Sequence, residues 1–275
     1  MSAPKAFIIG HPISHSRSPI IHRHWLDRYG IAGSYEAIDV PPDAVGDFIA
    51  SLRGSDFSGG NVTIPHKQAV RDLCDEVEPL AARIGAVNTL VVRHGRVIGR
   101  NTDYLGFLFN LDDGAPDWDR RTRRALVLGA GGAARAVVVA LLSRGIPDIA
   151  ILNRTPERAY ALAADMGDGV SGHPMSAFIG LAPRADLLIN ATAGGMGGTS
   201  FADQPLELLP GHALVADIVY APLVTPLLAA ARKIGLNTVD GLGMLLHQAV
   251  PGFAAWFGTT PSVDAALRAK VEATL

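Results

Sequence analysis

The sequence has a single cysteine, Cys74, so no internal disulfide can form, and its histidines and cysteine nowhere take zinc-ligand spacing. A reducing, cytoplasmic setting without a metal is therefore expected. An excess of one charge is also missing: 24 Lys and Arg stand against 26 Asp and Glu, a net -2 that lacks the basic footprint of a DNA- or RNA-binding protein. Long apolar runs are absent too. The longest aliphatic stretch, residues 136–142, falls far short of the roughly 18 residues of a spanning helix. Residues 1–10 lack the apolar run and small-residue cleavage site of a signal peptide and read as a first strand.

What is abundant is apolar and small. Hydrophobic residues make up 48% of the 275, enough for one large core or two moderate ones, which excludes disorder. The 30 glycines exceed the usual ~7%, so many turns and close backbone approaches are expected. Over residues 5–103 strand-like and helix-like segments alternate. They comprise strands at 6–9, 35–40 and 61–64, helices at 19–29, 43–53 and after Pro65, and a hairpin of 86–92 with 96–99 around His94-Gly95. This predicts a mixed-sheet α/β lobe. The polar, Gly- and Pro-broken stretch 113–121 reads as a surface connection. A second lobe then opens with a strand at 124–128, a glycine turn, a helix at 133–144 closed by Gly145, and a strand at 149–152. Strands at 186–190, 213–217 and 237–239 continue a parallel, Rossmann-type sheet. Two helical patterns, 242–257 and 262–273, close the chain.

The turn Gly129-Ala-Gly-Gly-Ala-Ala134 fits G-x-G-x-x-A between a strand and a helix. There the first Gly permits the tight turn, the second lets a pyrophosphate approach, and the helix N-terminus favours an anion. An NAD site usually carries Asp or Glu at the end of the next strand; here stand Asn153-Arg154-Thr155, then Arg158. Two arginines able to clamp a 2′-phosphate point to NADP, unless both are solvated surface charges.

In the first lobe Ser16 and Ser18 precede a helix opened by Pro19. They could cap that helix or donate to a small carboxylate. The segment Asn61-Val-Thr-Ile-Pro-His-Lys67 sets an amide, a hydroxyl and an amine between strand and helix. A lysine is usually a solvated charge, but Lys67 in a cleft could shuttle a proton between alcohol and ketone. Asp103 could steady that lysine or cap the next helix. His11 and His15 are separated by Pro12, which argues against a two-histidine helical metal site, and Cys74 reads as core within an amphipathic helix.

These segments together resemble the shikimate dehydrogenase family over nearly the whole chain. The resemblance rests on His15-Ser-Arg-Ser-Pro19, Asn61-Val-Thr-Ile-Pro-His-Lys67, Gly85-Ala-Val-Asn-Thr89, Asn101-Thr-Asp103, Gly129-Ala-Gly-Gly132, Asn153-Arg-Thr155, Asp217-Ile-Val-Tyr220 and Gly241-Leu-Gly-Met-Leu-Leu-His-Gln248, in the family's order. It implies two lobes that close around their ligands: a substrate-binding and catalytic domain, 1–103, completed by helices at 241–275, and a Rossmann NADP domain, 104–240. It implies reversible, metal-free, NADPH-dependent reduction of 3-dehydroshikimate to shikimate in aromatic amino-acid biosynthesis. Lys67 and Asp103 would be the catalytic pair. Ser16, Ser18 and Tyr220 would hold the carboxylate, and Thr63, Asn88 and Gln248 the ring and its hydroxyls. Gly129, Ala130, Gly131, Gly132, Ala133, Asn153, Arg154, Thr155, Arg158, Thr192, Ile218, Gly241 and Met244 would line the cofactor site. Met244 and Leu245 could equally be helix core.

The chain departs from the family's usual pattern at Ala193, where a serine commonly follows Thr192, and mildly at Ala133-Ala134, where Ala-Ser is common. The competing readings are a quinate or aminoshikimate dehydrogenase, which differs by one ring substituent, and an NADP-binding sensor without turnover. Whether the protein acts as a monomer or a homodimer is left open.

Overall fold

The structure, a computed structural model, describes residues 3–192, 201 and 204–275; Ala193 lies outside them. The chain divides into two compact units, Met1–Thr102 with Gln248–Thr274, and Asp103–His247. Residues 241–247, which the sequence reading placed in the first lobe, cluster with the second.

The first unit runs β1 (Lys5–Gly10), α1 (Ser18–Tyr29), β2 (Ser34–Asp39), α2 (Val45–Ser51), β3 (Phe57–Val62), α3 (Lys67–Leu73), β4 (Glu76–Val77), α4 (Pro79–Ile84), β5 (Thr89–Arg93) and β6 (Arg96–Arg100). Its sheet has the order β2-β1-β3-β5-β6-β4. β1 pairs in parallel with β2 and β3, and β5 pairs antiparallel with β3 and β6. The third strand begins earlier than its apolar residues suggest, because Phe57-Ser-Gly-Gly-Asn-Val62 carries two glycines that β-propensity marks as breakers. Both are needed for close approach. A Cβ on Gly60 would sit 2.3 Å from the Phe7 ring, and one on Gly59 2.1 Å from the Leu90 carbonyl and 2.4 Å from Trp256 Nε1. On one side Phe7, Ile9, Ile49, Leu52, Val70 and Leu90 form a core.

The second unit contains α5 (Asp103–Gly114), α6 (Trp118–Arg121), β7 (Arg124–Leu128), α7 (Gly132–Ser143), β8 (Asp148–Asn153), α8 (Pro156–Met166), β9 (Val170–Pro174), α9 (Phe178–Leu181), β10 (Leu187–Asn190), β11 (Leu214–Asp217), α10 (Pro226–Lys233), β12 (Asn237–Val239) and α11 (Leu242–His247). Its strands, all parallel, lie in the order β12-β11-β10-β7-β8-β9, the doubly wound order of dinucleotide-binding sheets. The stretch expected as a surface connection is folded. Trp118 is buried, its indole N–H donates to Asp112 (2.9 Å), and Arg144 pairs with Asp112 and Asp119.

The predicted closing helix splits at Gln248 into α11 and α12 (Ala249–Phe257), and α13 (Ala265–Glu272) follows. The last two complete the first unit. Trp256 Nε1 donates to the Leu90 carbonyl (2.8 Å), Trp25 Nε1 to the Ser262 carbonyl (3.0 Å), and Arg17 to the Thr274 carbonyl (2.6 Å).

Between α1 and α12 the imidazole of His22 is fully buried, stacked on Tyr35 at 4.0 Å between centroids and near Trp25, Phe253 and Trp256. Burial pushes its pKa down to about 3. The folded ring thus stays neutral where the unfolded chain's ring, titrating near 6.5, takes a proton. Stability is full above the unfolded value and falls as pH drops from about 6.5 toward 3, by up to about 1.4 kcal/mol per pH unit. Replacing His22→Phe should flatten this acid slope, measured as the urea midpoint at pH 7 and at pH 5; an unchanged slope would mean another group sets it.

Candidate active site

In the first unit, β1 and β3 end, β5 begins and β6 ends at one edge of the sheet, because β5 runs against β3 and β6 against β5. The residues singled out in the sequence emerge there. Gly10 ends β1, and a Cβ on it would lie 2.5 Å from Thr63 Cγ2, so the glycine lets the segment after β3 cross the strand end. That segment is held by Thr63 N to the Ile9 carbonyl (2.9 Å) and His11 N to the Ile64 carbonyl (3.1 Å). His66 is buried and its Nε2 meets the Val40 carbonyl at 2.7 Å, a structural role within the motif. Lys67 opens α3, and its carbonyl accepts from Val87 N (2.8 Å), fixing the lysine beside the start of β5.

The serine loop is tied to β2. Asp39 accepts from Ile13 N (2.9 Å) and pairs with the His11 ring (3.0 Å), and these contacts hold its carboxyl below the usual carboxylate range. Ser18 is the first residue of α1, not its cap: Arg17 occupies the N-cap position without a side-chain cap bond. Ser18 N donates to Ser16 Oγ (3.3 Å).

Asn88, Thr102 and Gln248 are buried together. Asn88 Oδ1 accepts from Thr102 N (2.7 Å) and Thr89 Oγ1 (2.9 Å), while Asn88 Nδ2 points to Thr102 Oγ1 (3.1 Å) and Gln248 Oε1 (3.5 Å). Thr102 Oγ1 also donates to the Gln248 carbonyl (2.7 Å), which anchors the start of α12. The Asn88 amide is thereby oriented with its oxygen toward the Thr102 and Thr89 donors and its NH₂ toward the Thr102 and Gln248 oxygens. Beneath it, Asn61 Nδ2 donates to the Asn88 carbonyl (3.2 Å) and Thr89 Oγ1 (3.3 Å), and Tyr35 donates to Asn61 Oδ1 (2.6 Å). Asp103 follows Thr102 in the chain and stands in the first turn of α5, where a carboxylate suits the helix dipole. Cys74 lies just beyond α3 rather than within a helix. Burial pushes its thiol up to about 12, so it is no nucleophile.

In the second unit the parallel strands deliver Gly129, Asn153, Asn190, Asp217 and Val239 to one edge. Gly129 has φ +109°, and a Cβ there would meet Thr192 Cγ2 at 2.5 Å; Gly131 and Gly132 face open space. The N-terminus of α7 has no side-chain cap and no acidic residue in its first turn. A pyrophosphate fits this cradle on both counts. β8 ends on Asn153 rather than on a carboxylate; exposed Arg154 follows it and exposed Arg158 stands in the first turn of α8 beside Glu157, and the two guanidiniums fit a 2′-phosphate. Tyr220 is half-buried after β11, and a Cβ on Gly241 would lie 2.3 Å from the Ile218 carbonyl oxygen. Among the described residues no His, Cys, Asp and Glu cluster could hold a metal, and no helix is long and apolar enough to cross a membrane.

Family models match the two units in turn: the shikimate dehydrogenase substrate binding domain over residues 8–90, shikimate / quinate 5-dehydrogenase over 116–242, and the shikimate 5′-dehydrogenase C-terminal domain over 241–269. The chain is 56% identical over 271 residues to the shikimate dehydrogenase (NADP(+)) of Mesorhizobium japonicum, covering 98% of this chain and 96% of that one. The chain belongs to the shikimate dehydrogenase family.

A second relative of the same name, from Methylobacterium radiotolerans, is 54% identical and covers all of this chain and 99% of its own. Among solved structures, the Thermus thermophilus shikimate 5-dehydrogenase in complex with NADP(H) and shikimate is 39% identical with a TM-score of 0.86, covering 99% of this chain and all of that one. The Corynebacterium glutamicum quinate dehydrogenase in complex with NAD is 32% identical with a TM-score of 0.89, covering 98% of each chain.

The sequence reading quoted Asn61 and Asp217 within motifs without their supporting roles, and gave no such role to Tyr35, which lies with Asn61 under Asn88, or to Asn190, which lies with Asp217 under the cofactor edge. A polar residue ending or interrupting an apolar strand was the available signal. Gly129→Ala should destabilise the second unit by about 1–3 kcal/mol, since it adds both an unfavourable φ and a contact with Thr192; a denaturant midpoint within error of wild type would show that the turn relaxes freely.

Proposed function

We propose that the protein is an NADP-dependent shikimate dehydrogenase that interconverts 3-dehydroshikimate and shikimate for aromatic amino-acid biosynthesis. The observation that carries this reading is the buried Asn88, Thr102 and Gln248 cluster at the edge that also bears the Ser16–Ser18 loop and Lys67. It occurs in a chain 56% identical to an enzyme of that name.

In this reading the hydroxyls of Ser16 and Ser18 donate to the substrate carboxylate, with Tyr220 assigned to the same group by the family pattern. Thr63, Asn88 and Gln248 address the ring hydroxyls. The Asn88 oxygen is occupied by Thr102 N and Thr89 Oγ1, so Asn88 meets its hydroxyl through Nδ2, in exchange for the long 3.5 Å contact to Gln248 Oε1. Lys67 Nζ donates a proton to the C3 carbonyl oxygen as negative charge develops there, and takes it back in the alcohol-oxidising direction. Asp103 orients lysine and substrate. Bound NADP(H) supplies or accepts the hydride. Gly129, Ala130, Gly131, Gly132 and Ala133 would cradle its pyrophosphate, and Asn153, Arg154, Thr155 and Arg158 its ribose phosphate. Thr192, Ile218, Gly241 and Met244 would complete the nicotinamide side.

The assignment carries with it a cytoplasmic, small-molecule enzyme, working as a monomer or homodimer, with a substrate domain of residues 1–102 plus 248–274 and a cofactor domain of residues 103–247. The quinate reading draws on a structural relative that holds NAD; the Arg154 and Arg158 pair, with no acidic residue at the end of β8, favours NADP.

Oxidation of shikimate with NADP, followed by reduced-nicotinamide absorbance, should exceed oxidation of quinate or use of NAD. Lys67→Ala should lower kcat by about 10²–10⁴-fold while leaving NADPH affinity intact. Turnover surviving that variant would remove Lys67 from the chemistry, and a preference for quinate would transfer the protein to that activity. Arg154→Ala combined with Arg158→Ala should raise KM for NADP about tenfold or more and leave KM for NAD nearly unchanged; equal effects on both cofactors would refute the 2′-phosphate clamp.

A further inference from the structure

At the end of β11 the carboxylate of Asp217 is 2% exposed, and among the described residues its hydrogen-bond partners are neutral. Three donors hold it. Oδ1 accepts from Asn190 Nδ2 (2.9 Å) and Val219 N (3.0 Å), and Oδ2 accepts from Thr225 Oγ1 (2.7 Å). Burying a carboxylate is costly, and the three donors offset that cost only by being held in place themselves.

Each donor leads to a different piece of the cofactor edge. Asn190, itself 1% exposed, turns its Oδ1 to Thr192 N (3.1 Å) and Thr192 Oγ1 (2.7 Å). Thr192 in turn fills the space where Gly129 lacks a side chain. Val219 N lies between Ile218 and Tyr220, and the Ile218 carbonyl is packed against Gly241. Thr225 caps α10 by accepting from Leu228 N (3.3 Å), so residues 218–224 are pinned to one side chain at both ends.

We propose that Asp217 is a positioning residue of the cofactor site: with Asn190 as its intermediary it sets Thr192, and through Val219 and Thr225 it sets the loop that carries Ile218 and Tyr220. This rests on the NADP reading of the second unit. The glycine turn, the Thr192 backbone and the 218–224 loop are three separate segments, and Asp217 with Asn190 is the buried polar group that joins them. Asparagine at 217 retains an oxygen for Asn190 and Val219, and its NH₂ can donate to Thr225 Oγ1, so Asp217→Asn preserves the pattern where Asp217→Ala abolishes it.

The test is NADPH affinity of the intact protein, read by nicotinamide fluorescence, together with melting temperature, kcat and the two KM values. Asn190→Ala, Thr225→Val and Asp217→Ala should each weaken NADPH binding by about tenfold or more and lower kcat; KM for shikimate should move less than about threefold in Asn190→Ala, whose path leads to Thr192, and rise further in the other two, which release the loop bearing Tyr220. Asp217→Asn should return NADPH affinity to within about threefold of wild type. If Asp217→Ala does not fold, the Asn190 and Thr225 variants decide the matter. Lower melting temperatures with wild-type NADPH affinity would overturn the proposal and leave Asp217 as a structural residue. NADPH binding by the wild type without shikimate turnover would reject the proposed activity while the affinity series still judges Asp217. No NADPH binding by the wild type would overturn both.

Discussion

The first unit depends on the place where its sheet changes direction. β3 pairs in parallel with β1 on one side and antiparallel with β5 on the other, and Val62 N donates to the Asn88 carbonyl (2.8 Å) at the end of that second pairing. A wholly parallel sheet would send the start of every strand to the opposite edge. Here the reversal brings Asn88, at the start of β5, beside Thr63 and Lys67, which follow β3. Thr102, after β6, arrives by the second reversal. The amide, hydroxyl and amine of the candidate site are neighbours because of strand polarity. The side-chain hydrogen bonds then fix which edge of each group is presented.

The second unit reaches the same end with no reversal at all. Parallel strands place all their C-terminal ends together, and the order β12-β11-β10-β7-β8-β9 sends the chain to opposite sides after β7 and β10, leaving a crevice there. Gly129 and Thr192 meet at that point, so the turn that admits a pyrophosphate is braced by the neighbouring strand's own continuation. Backbone N–H groups at the start of α7 supply the attraction, and the two arginines beyond β8 refine it to a phosphorylated ribose in the proposed reading.

Much of this was legible in the residues. The order of strands and helices, the glycine turn and the polar segments at strand ends could all be read, because each is a local pattern with a local cause. What escaped was set by distant partners. Gly59 and Gly60 look like strand breakers until Phe7 and Trp256 are seen crossing them, and Cys74 looks helical until α3 stops at Leu73. The stretch 113–121 is polar in composition, but one indole, Trp118, buries itself and finds Asp112. Gln248 interrupts an apolar helical pattern because its side chain and carbonyl answer Asn88 and Thr102, more than a hundred residues upstream in the chain. Such pairings leave no periodic trace.

The first unit is assembled from two stretches of chain, with the whole of the second unit between them. On the ribosome, α12 appears only after the Rossmann-type unit has been made. Until then the strands β3 and β5 lack Trp256, whose indole N–H satisfies the Leu90 carbonyl, and α1 lacks Phe253. The second unit is one continuous stretch and has no such wait. During synthesis the middle of the chain can therefore fold before its beginning is complete, and the nascent first unit keeps an uncovered apolar sheet face throughout.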